Sequence, residues 1–97
     1  MTDREPVAWR LRVSGRVQGV GYRDWTRREA VERGLAGWVR NRVDGTVEVA
    51  VAGDPTALAS LRDAMRRGPF LAKVAAIQQS GDAGDDFPAA FEIRPTA

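Results

Sequence analysis

The sequence predicts an α+β sandwich, in which two helices cover one face of an antiparallel sheet. Several short segments alternate apolar and polar residues, as strands with one buried face do. Two longer segments carry apolar residues at helical spacing. In chain order the segments are strand, helix, strand, strand, helix and strand, followed by a short extra strand near the C-terminus. This order is typical of the ferredoxin-like sandwich.

The first half of the chain contains the clearest elements. Its predicted strands lie at 7–13, 38–41 and 47–52, and its predicted helix lies at 22–33. Gly34 is well placed to end this helix in the left-handed conformation. Asp44-Gly45 predicts a two-residue type I′ hairpin turn, in which both central residues need positive φ.

The second half of the chain completes the pattern. Asp54 and Pro55 are suited to the cap and the first position of a helix that runs to residue 67. Weaker strand patterns follow at 74–80 and 90–94, on either side of an acidic loop. Residues 1–6 are polar and are expected to form a loose tail. At 97 residues, the chain fits a single domain over residues 1–97.

Composition excludes several kinds of active site. The sequence has neither cysteine nor histidine, so disulfides, Ser-His and Cys-His mechanisms, phosphohistidine chemistry and the usual zinc sites are excluded. Asp82, Asp85 and Asp86 could suggest a cation site. Their spacing is not that of a calcium loop, and a solvated turn is favoured. We therefore expect no metal and no cofactor.

Charge and hydropathy indicate the kind of ligand and the compartment. The formal net charge is +2, and residues 1–53 hold ten cations against seven carboxylates. This excess suits an anionic ligand, although solvated arginines on a helix face give the same bias. The sequence shows neither an apolar leader nor an apolar span that could cross a membrane. Because cysteine is also absent, we expect a cytoplasmic protein without membrane contact.

A glycine-rich stretch at 14–24 connects the first predicted strand to the first predicted helix. It contains Gly15, Gly19 and Gly21, and glycine lets backbone N–H groups approach a ligand closely. Such a loop at a helix N-terminus can bind anions, since free N–H groups and the helix dipole favour negative charge. Arg23 would add a guanidinium suited to phosphate oxygens. The glycine spacing alone also fits a plain turn between a strand and a helix.

Two motifs carry a resemblance to a known family. The stretch Gly15-Arg16-Val17-Gln18-Gly19-Val20-Gly21-Tyr22-Arg23 closely resembles the acylphosphatase signature Gly-x-Val-Gln-Gly-Val-x-Phe-Arg, with Tyr22 in place of Phe. The second signature of this family is similar to Gly34-Leu35-Ala36-Gly37-Trp38-Val39-Arg40-Asn41, followed by Asp44-Gly45-Thr46-Val47-Glu48. The clear resemblance covers about residues 7 to 53, and a looser one covers the rest.

This resemblance implies a metal-independent hydrolase that cleaves the mixed anhydride between a carboxylic acid and phosphate in small acyl phosphates. In this family the loop and an arginine hold the phosphate, and an asparagine places the attacking water. By motif position the catalytic residues are Arg23 and Asn41, and the phosphate-binding residues are Gly15, Arg16, Val17, Gln18, Gly19, Val20 and Arg23. Phosphate and sulfate are then expected to compete with substrate.

The predicted fold agrees with this assignment. Its first and second strands point the same way with another strand between them, so both end at the same edge of the sheet. Asn41 at the end of the second strand can therefore face the glycine loop. A carboxamide suits the role because it can accept from water and donate to an oxygen at once.

Other interpretations of the same residues stay open. Arg23 could pair with Glu29 on the helix surface, and Asn41 could merely form a turn. Arg16 could steer substrate at the rim or simply be solvated, and Gln18 could shape the loop through its amide.

Two rival functions belong to other classes. Some ferredoxin-like domains bind RNA on aromatic residues of the open sheet face. The outward positions of strands one and three show neither a stacking platform nor a basic face; they are Ala8, Arg10, Arg12, Glu48, Ala50 and Ala52. The other rival is an accessory domain of a larger enzyme that uses carbamoyl phosphate. We expect neither, and predict a monomer that binds no nucleic acid.

Overall fold

A computed structural model describes residues 5–81 and 84–97 of the chain. Within these residues two helices and five strands follow one another in the predicted order. They are β1 (Val7–Arg16), α1 (Tyr22–Glu32), β2 (Ala36–Asn41), β3 (Val47–Gly53), α2 (Pro55–Arg67), β4 (Lys73–Ser80) and β5 (Glu92–Ile93). Both helix predictions are confirmed to within one residue at each end.

The sheet has the strand order β4-β1-β3-β2-β5. β3 lies between β1 and β2 and is antiparallel to both, so β1 and β2 run in the same direction. The ferredoxin-like prediction is thereby confirmed. The pairs among β1 to β4 are antiparallel as predicted, whereas the short extra strand β5 pairs with β2 in parallel. The C-terminal segment covers the free edge of β2, where Arg94 N–H donates to Val39 O at 2.9 Å.

The core lies between the helices and one face of the sheet. Of the strand positions predicted to face inward, Leu11 and Val13 of β1 and the three valines of β3 are fully buried, whereas Trp9 is partly buried and Val7 is exposed; the apolar stripe of α2 is fully buried. Val13 and Val47 pair across β1 and β3, and Asn41 pairs with the same Val47 from β2. Asn41 therefore continues the inward row of side chains at the end of the sheet, beneath the helix layer.

Local sequence signals explain where the helices begin and end. The Asp54 Oδ2 accepts from the Thr56 and Ala57 N–H groups at 3.0 and 3.2 Å, which confirms the predicted cap of α2. Gly34 has φ 69° and ends α1 as predicted, with its N–H donating to Val31 O at 3.0 Å.

The hairpin between β2 and β3 differs from the prediction. Gly45 has φ 93°, but no non-glycine residue in the described part of the chain has positive φ, so Asp44 does not adopt the type I′ conformation. Instead the Gly45 N–H donates to Arg42 O at 3.1 Å, and the Arg42 N–H donates to Thr46 O at 2.8 Å. This is a three-residue loop with a type I turn followed by a left-handed glycine. The Asp44 Oδ1 stabilises it by accepting from both the N–H and the hydroxyl of Thr46.

Some predictions concern the edges of the described region. Residues 1–4 of the expected tail and Asp82 of the acidic loop lie outside the described residues. Asp86 binds Arg94 at 2.7 Å, and this hydrogen bond lowers the pKa of the Asp86 carboxyl.

Within residues 5–81 and 84–97 no group of three or more acidic, histidine or cysteine side chains could hold a metal ion. In that same part of the chain no helix is long and apolar enough to span a membrane.

Candidate active site

A five-residue loop, residues 17–21, connects β1 to α1. Gly19 and Gly21 have φ of 74° and 79°, in the left-handed region that favours glycine. A Cβ at either position would meet no atom within 4 Å, so the backbone conformation and not crowding requires glycine there. The open space beside these two glycines lets a ligand approach the loop backbone closely.

The N-terminus of α1 is left without a side-chain cap. Gly21 is its N-cap residue and has no side chain to accept from the first-turn N–H groups. The first intrahelical bond runs from Trp25 N–H to Gly21 O at 3.1 Å. The N–H groups before it therefore lack helical partners, and the positive end of the helix dipole adds to their attraction for an anion.

Arg23 is the second residue of α1 and therefore lies in the first turn of this helix. Among the described residues its guanidinium has neither an ion-pair nor a hydrogen-bond partner. Glu29, the alternative partner considered from the sequence, instead binds Arg33 at 2.8 Å. The adjacent Asp24 carboxylate pairs with other residues of the helix, Arg27 at 3.6 Å and Arg28 at 3.1 Å. Arg23 is thus available to a ligand.

Asn41 is the last residue of β2, and it shares one cavity with Arg23. Its Oδ1 is buried and accepts no hydrogen bond from the described part of the chain. An unsatisfied buried acceptor costs about 1–3 kcal/mol, and a turn-forming role would not leave it so. A polar atom of this kind beside a cavity is typical of a functional site.

The cavity has a volume of about 240 Å³ and lies between the loop, the start of α1 and the ends of β2 and β5. Four of the residues predicted for the site line it, namely Val17, Gly19, Arg23 and Asn41. The other lining residues are Gly21, Tyr22, Asp24 and Ile93. Gly21 could have been included from the sequence, because it is the third glycine of the loop. Ile93 carried no signal, since nothing in the sequence places β5 beside β2.

Four predicted phosphate-binding residues lie outside the cavity lining, namely Gly15, Arg16, Gln18 and Val20, and the structure gives a reason for each. Gly15 and Arg16 belong to β1, which is three residues longer than predicted, and they pair with β4 at Val74 and Lys73. A Cβ on Gly15 would lie 2.3 Å from Lys73 O, so this glycine permits the close approach of β4. Val20 packs against the hydrophobic core.

Gln18 connects the loop to the β2–β3 hairpin. Its Nε2 donates to Arg42 O and to Thr46 O, both at 2.8 Å. These bonds use both amide hydrogens, so the side chain holds the loop against the residues that follow Asn41. The geometry favours the interpretation that Gln18 shapes the loop.

Substitution of Gln18 should separate this structural role from ligand binding. Gln18→Ala should lower the free energy of unfolding by about 1–2 kcal/mol, because two partly buried hydrogen bonds between the loop and the hairpin are lost. Gln18→Glu should destabilise more than Gln18→Ala does, since a carboxylate cannot donate and would face two carbonyl oxygens. Urea unfolding of the three proteins measures this order. A Gln18→Glu variant as stable as the parent would contradict the role.

Tyr22 lies at the floor of the cavity and supports it from below. Its hydroxyl donates to Met65 O at 2.7 Å, and its ring is buried. Burial raises the pKa of the Tyr22 phenol above its ordinary value, so the group stays protonated at neutral pH. Since the chain also has no histidine, we expect positioned dipoles and charge to supply most of the chemistry of this site.

The fold and the cavity define a small α+β protein with a glycine loop and a free arginine at a helix N-terminus. The acylphosphatase family model matches residues 9–93 of the chain. A Rhizobium etli protein named acylphosphatase is 44% identical over 93 residues, which cover 96% of this chain and 98% of that relative. The chain belongs to the acylphosphatase family, and acylphosphatases are hydrolases.

Solved structures agree with the family assignment. The acylphosphatase of Bacillus subtilis has a TM-score of 0.83 and 40% identity, covering 90% of this chain and 97% of its own. An acylphosphatase from Coxiella burnetii has a TM-score of 0.87 and 31% identity, covering 97% of this chain and 100% of its own. The ferredoxin-like fold and the hydrolase interpretation are confirmed. The rival interpretations as a nucleic-acid-binding module or an accessory domain are not favoured.

Proposed function

We propose that this protein hydrolyses small acyl phosphates to a carboxylate and inorganic phosphate, and that Arg23 and Asn41 carry the reaction. The observation that supports these roles most directly is the shared cavity, which is lined both by Arg23, whose guanidinium has no partner among the described residues, and by Asn41, whose carboxamide oxygen accepts no hydrogen bond from them. The phosphoryl group would lie among the N–H groups of the loop and the first turn of α1, with Arg23 binding its oxygens.

The proposed reaction needs little activation of the nucleophile. A water oxygen forms a bond to phosphorus as the bond from phosphorus to the bridging oxygen breaks, and the electron pair leaves with the carboxylate. The proton lost by the water ends on the phosphate or in solvent. A carboxylate is a good leaving group, so the reaction needs only two contributions from the protein. Asn41 positions the water, and Arg23 neutralises charge on the equatorial phosphoryl oxygens.

Phosphate release from acetyl phosphate at neutral pH tests this function. We expect turnover that is unaltered by EDTA, and at least about 10²-fold slower release from a phosphate monoester, whose leaving group is poorer. Phosphate and sulfate should inhibit competitively, because they occupy the same N–H groups. Activity that is lost in EDTA and restored by Mg²⁺ would contradict the mechanism, and inhibition that leaves the apparent KM unchanged would contradict a shared site.

We also propose that the protein acts as a cytoplasmic monomer and does not bind nucleic acid. The absence of cysteine supports the compartment, because such a chain is indifferent to a reducing environment. Sedimentation velocity and titration with a labelled oligonucleotide would measure the other two properties directly.

A further inference from the structure

The turn between α2 and β4 carries two large apolar side chains at its tip. The Ala72 N–H donates to Pro69 O at 2.9 Å, which places Phe70 and Leu71 at the two central positions of the turn. Phe70 is 98% exposed and Leu71 is 59% exposed. Single exposed apolar residues are common, but two adjacent ones at the tip of a turn form a patch that is typical of an interaction surface.

Cations flank this turn on both sides. Arg67 is the last residue of α2, and Lys73 is the first residue of β4. Lys73 pairs directly with Arg16 at the end of β1. All three side chains are exposed, and their charged groups have neither an ion-pair nor a hydrogen-bond partner among the described residues. Residues 64–80 contain no carboxylate, so this part of the chain is purely cationic.

The pairing of Arg16 with Lys73 is unfavourable in the free protein, because like charges opposite each other destabilise a sheet. An anionic partner would remove this repulsion. The turn is also close to the start of α1, since a Cβ on Gly68 would lie 2.7 Å from the ring of Tyr22. The apolar tip and its cations therefore lie at the end of the molecule where the 17–21 loop leaves β1.

The shape and charge of this surface fit an anionic lipid membrane. Apolar side chains at a protruding tip can enter the boundary of the acyl chains, while the flanking cations stay among the lipid phosphates. A stable protein interface buries roughly 800 Å² per partner, and an aromatic side chain supplies only about 150–250 Å² of it. A second copy of this chain would bring the same unpaired cations together and be repelled.

We propose that the turn at 69–72, together with Arg16, Arg67 and Lys73, adsorbs this protein reversibly to anionic membrane surfaces. Phe70 and Leu71 insert between the headgroups, and the three cations bind lipid phosphates. This inference is independent of the proposed reaction. It departs from the expectation of no membrane contact, which rests on the lack of an apolar span, because adsorption to a surface needs no span.

Cosedimentation with lipid vesicles at low ionic strength tests the proposal. The parent protein should bind vesicles of phosphatidylcholine and phosphatidylglycerol at least about 10-fold more tightly than vesicles of phosphatidylcholine alone, and added NaCl should reduce this difference. Phe70→Ser should weaken binding to the mixed vesicles by about 10-fold. Arg67→Gln combined with Lys73→Gln should weaken it by about 10-fold or more.

Two substitutions on α1 are the matched controls. Val31 is 55% exposed near the C-terminal end of α1, and the side chain of Arg28 is 64% exposed on the same helix. Val31→Ser and Arg28→Gln should each bind the mixed vesicles within about three-fold of the parent, since neither residue belongs to the turn or its cations. The melting temperature of Phe70→Ser should match that of the parent, because an exposed side chain contributes little to the fold.

Insertion of the turn can be measured directly, because the chain has no cysteine. Leu71→Cys labelled with the environment-sensitive dye nitrobenzoxadiazole should show brighter, blue-shifted fluorescence when the mixed vesicles are added. Val31→Cys with the same label should show no change, since this position stays in water.

The possible results decide between the partners. A parent protein that binds neither kind of vesicle, or both equally well, would overturn the anionic lipid surface. A Phe70→Ser variant that binds like the parent, or a label at position 71 that stays in water, would overturn the insertion of the turn. Tighter binding to soluble poly-glutamate than to the mixed vesicles would assign the surface to an acidic protein partner and would also reject the lipid proposal.

Discussion

Replacing Arg23 with lysine should lower kcat/KM for acetyl phosphate by on the order of 10³-fold. An ammonium keeps the charge but cannot reproduce the planar fork that binds two phosphoryl oxygens at once. No described residue competes for the Arg23 guanidinium, so the loss should come from the ligand contact and not from a broken ion pair. Arg23 contacts the phosphoryl group before and during the reaction. The inhibition constant for phosphate should therefore rise along with the loss of turnover.

Asn41→Ala provides the matched comparison, because it removes a neutral group from the other side of the same cavity. It should lower kcat by on the order of 10²-fold, the usual cost of one oriented polar group. The phosphate inhibition constant should stay within a few-fold of the parent value, since the proposed contact of Asn41 is with water. Removing the unsatisfied Oδ1 should also leave the protein at least as stable as the parent.

The two substitutions are measured together by kcat, KM and phosphate inhibition, after circular dichroism has shown that both variants are folded. An Arg23→Lys variant that keeps full turnover would contradict the need for a guanidinium. An Asn41→Ala variant that loses phosphate affinity as severely as Arg23→Lys would contradict the placing of water by Asn41.

The parts of this molecule that the sequence predicts well are those determined by local patterns. Alternation in β1 and β3, helical spacing in α2 and the Asp54 cap are each properties of a few neighbouring residues. The meeting of Arg23 and Asn41 also follows from the sequence, because strand order and direction place both at one edge. That step needed the two motifs as well as the periodicity, since each glycine alone fits an ordinary turn.

The parts that could not be predicted depend on contacts between distant residues. The sequence pattern assigns Gly15 to the loop because it is a glycine beside other glycines, but the close approach of β4 explains it. The parallel pairing of β5 depends on which edge of the sheet the C-terminal segment reaches. The two residues of β5, Glu92 and Ile93, do not indicate that edge in the sequence. Ile93 could not be assigned to the cavity for the same reason.

The open face of the sheet was also incompletely predicted. The outward residues of β1 and β3 by themselves predict no basic face. That prediction is wrong, because Arg40 of β2 and Arg42, which follows β2, add two more arginines to this face. Four arginines converge on Glu48 of β3, namely Arg10, Arg12, Arg40 and Arg42. Trp38, an aromatic ring on this face, is 5% exposed because the guanidiniums of Arg40 and Arg94 lie over it at 4.7 and 5.2 Å. It therefore offers no stacking platform for a base.

Glu48 holds this cluster together. Its side chain is 2% exposed, although it lies on the face that the helices do not cover, because long arginine chains surround it. One oxygen binds Arg40 at 2.9 Å and Arg42 at 3.3 Å, and the other lies 3.5 Å from Arg10 and 3.7 Å from Arg12. The arginine side chains are 27–39% exposed, so water screens their mutual repulsion only in part.

Glu48→Gln should accordingly lower the free energy of unfolding by about 3 kcal/mol, because removal of one buried charge leaves its partners uncompensated. For a chain of this size the melting temperature should fall by about 10 to 20 °C. Added NaCl should recover part of the loss, since salt screens the remaining repulsion. Asp63→Asn is the control, because its carboxylate is 69% exposed and lies 3.9 Å from Arg66, and it should change stability by less than about 0.5 kcal/mol. Differential scanning calorimetry at two salt concentrations makes the comparison. A Glu48→Gln variant that unfolds within a few degrees of the parent would show that the four arginines do not need this carboxylate.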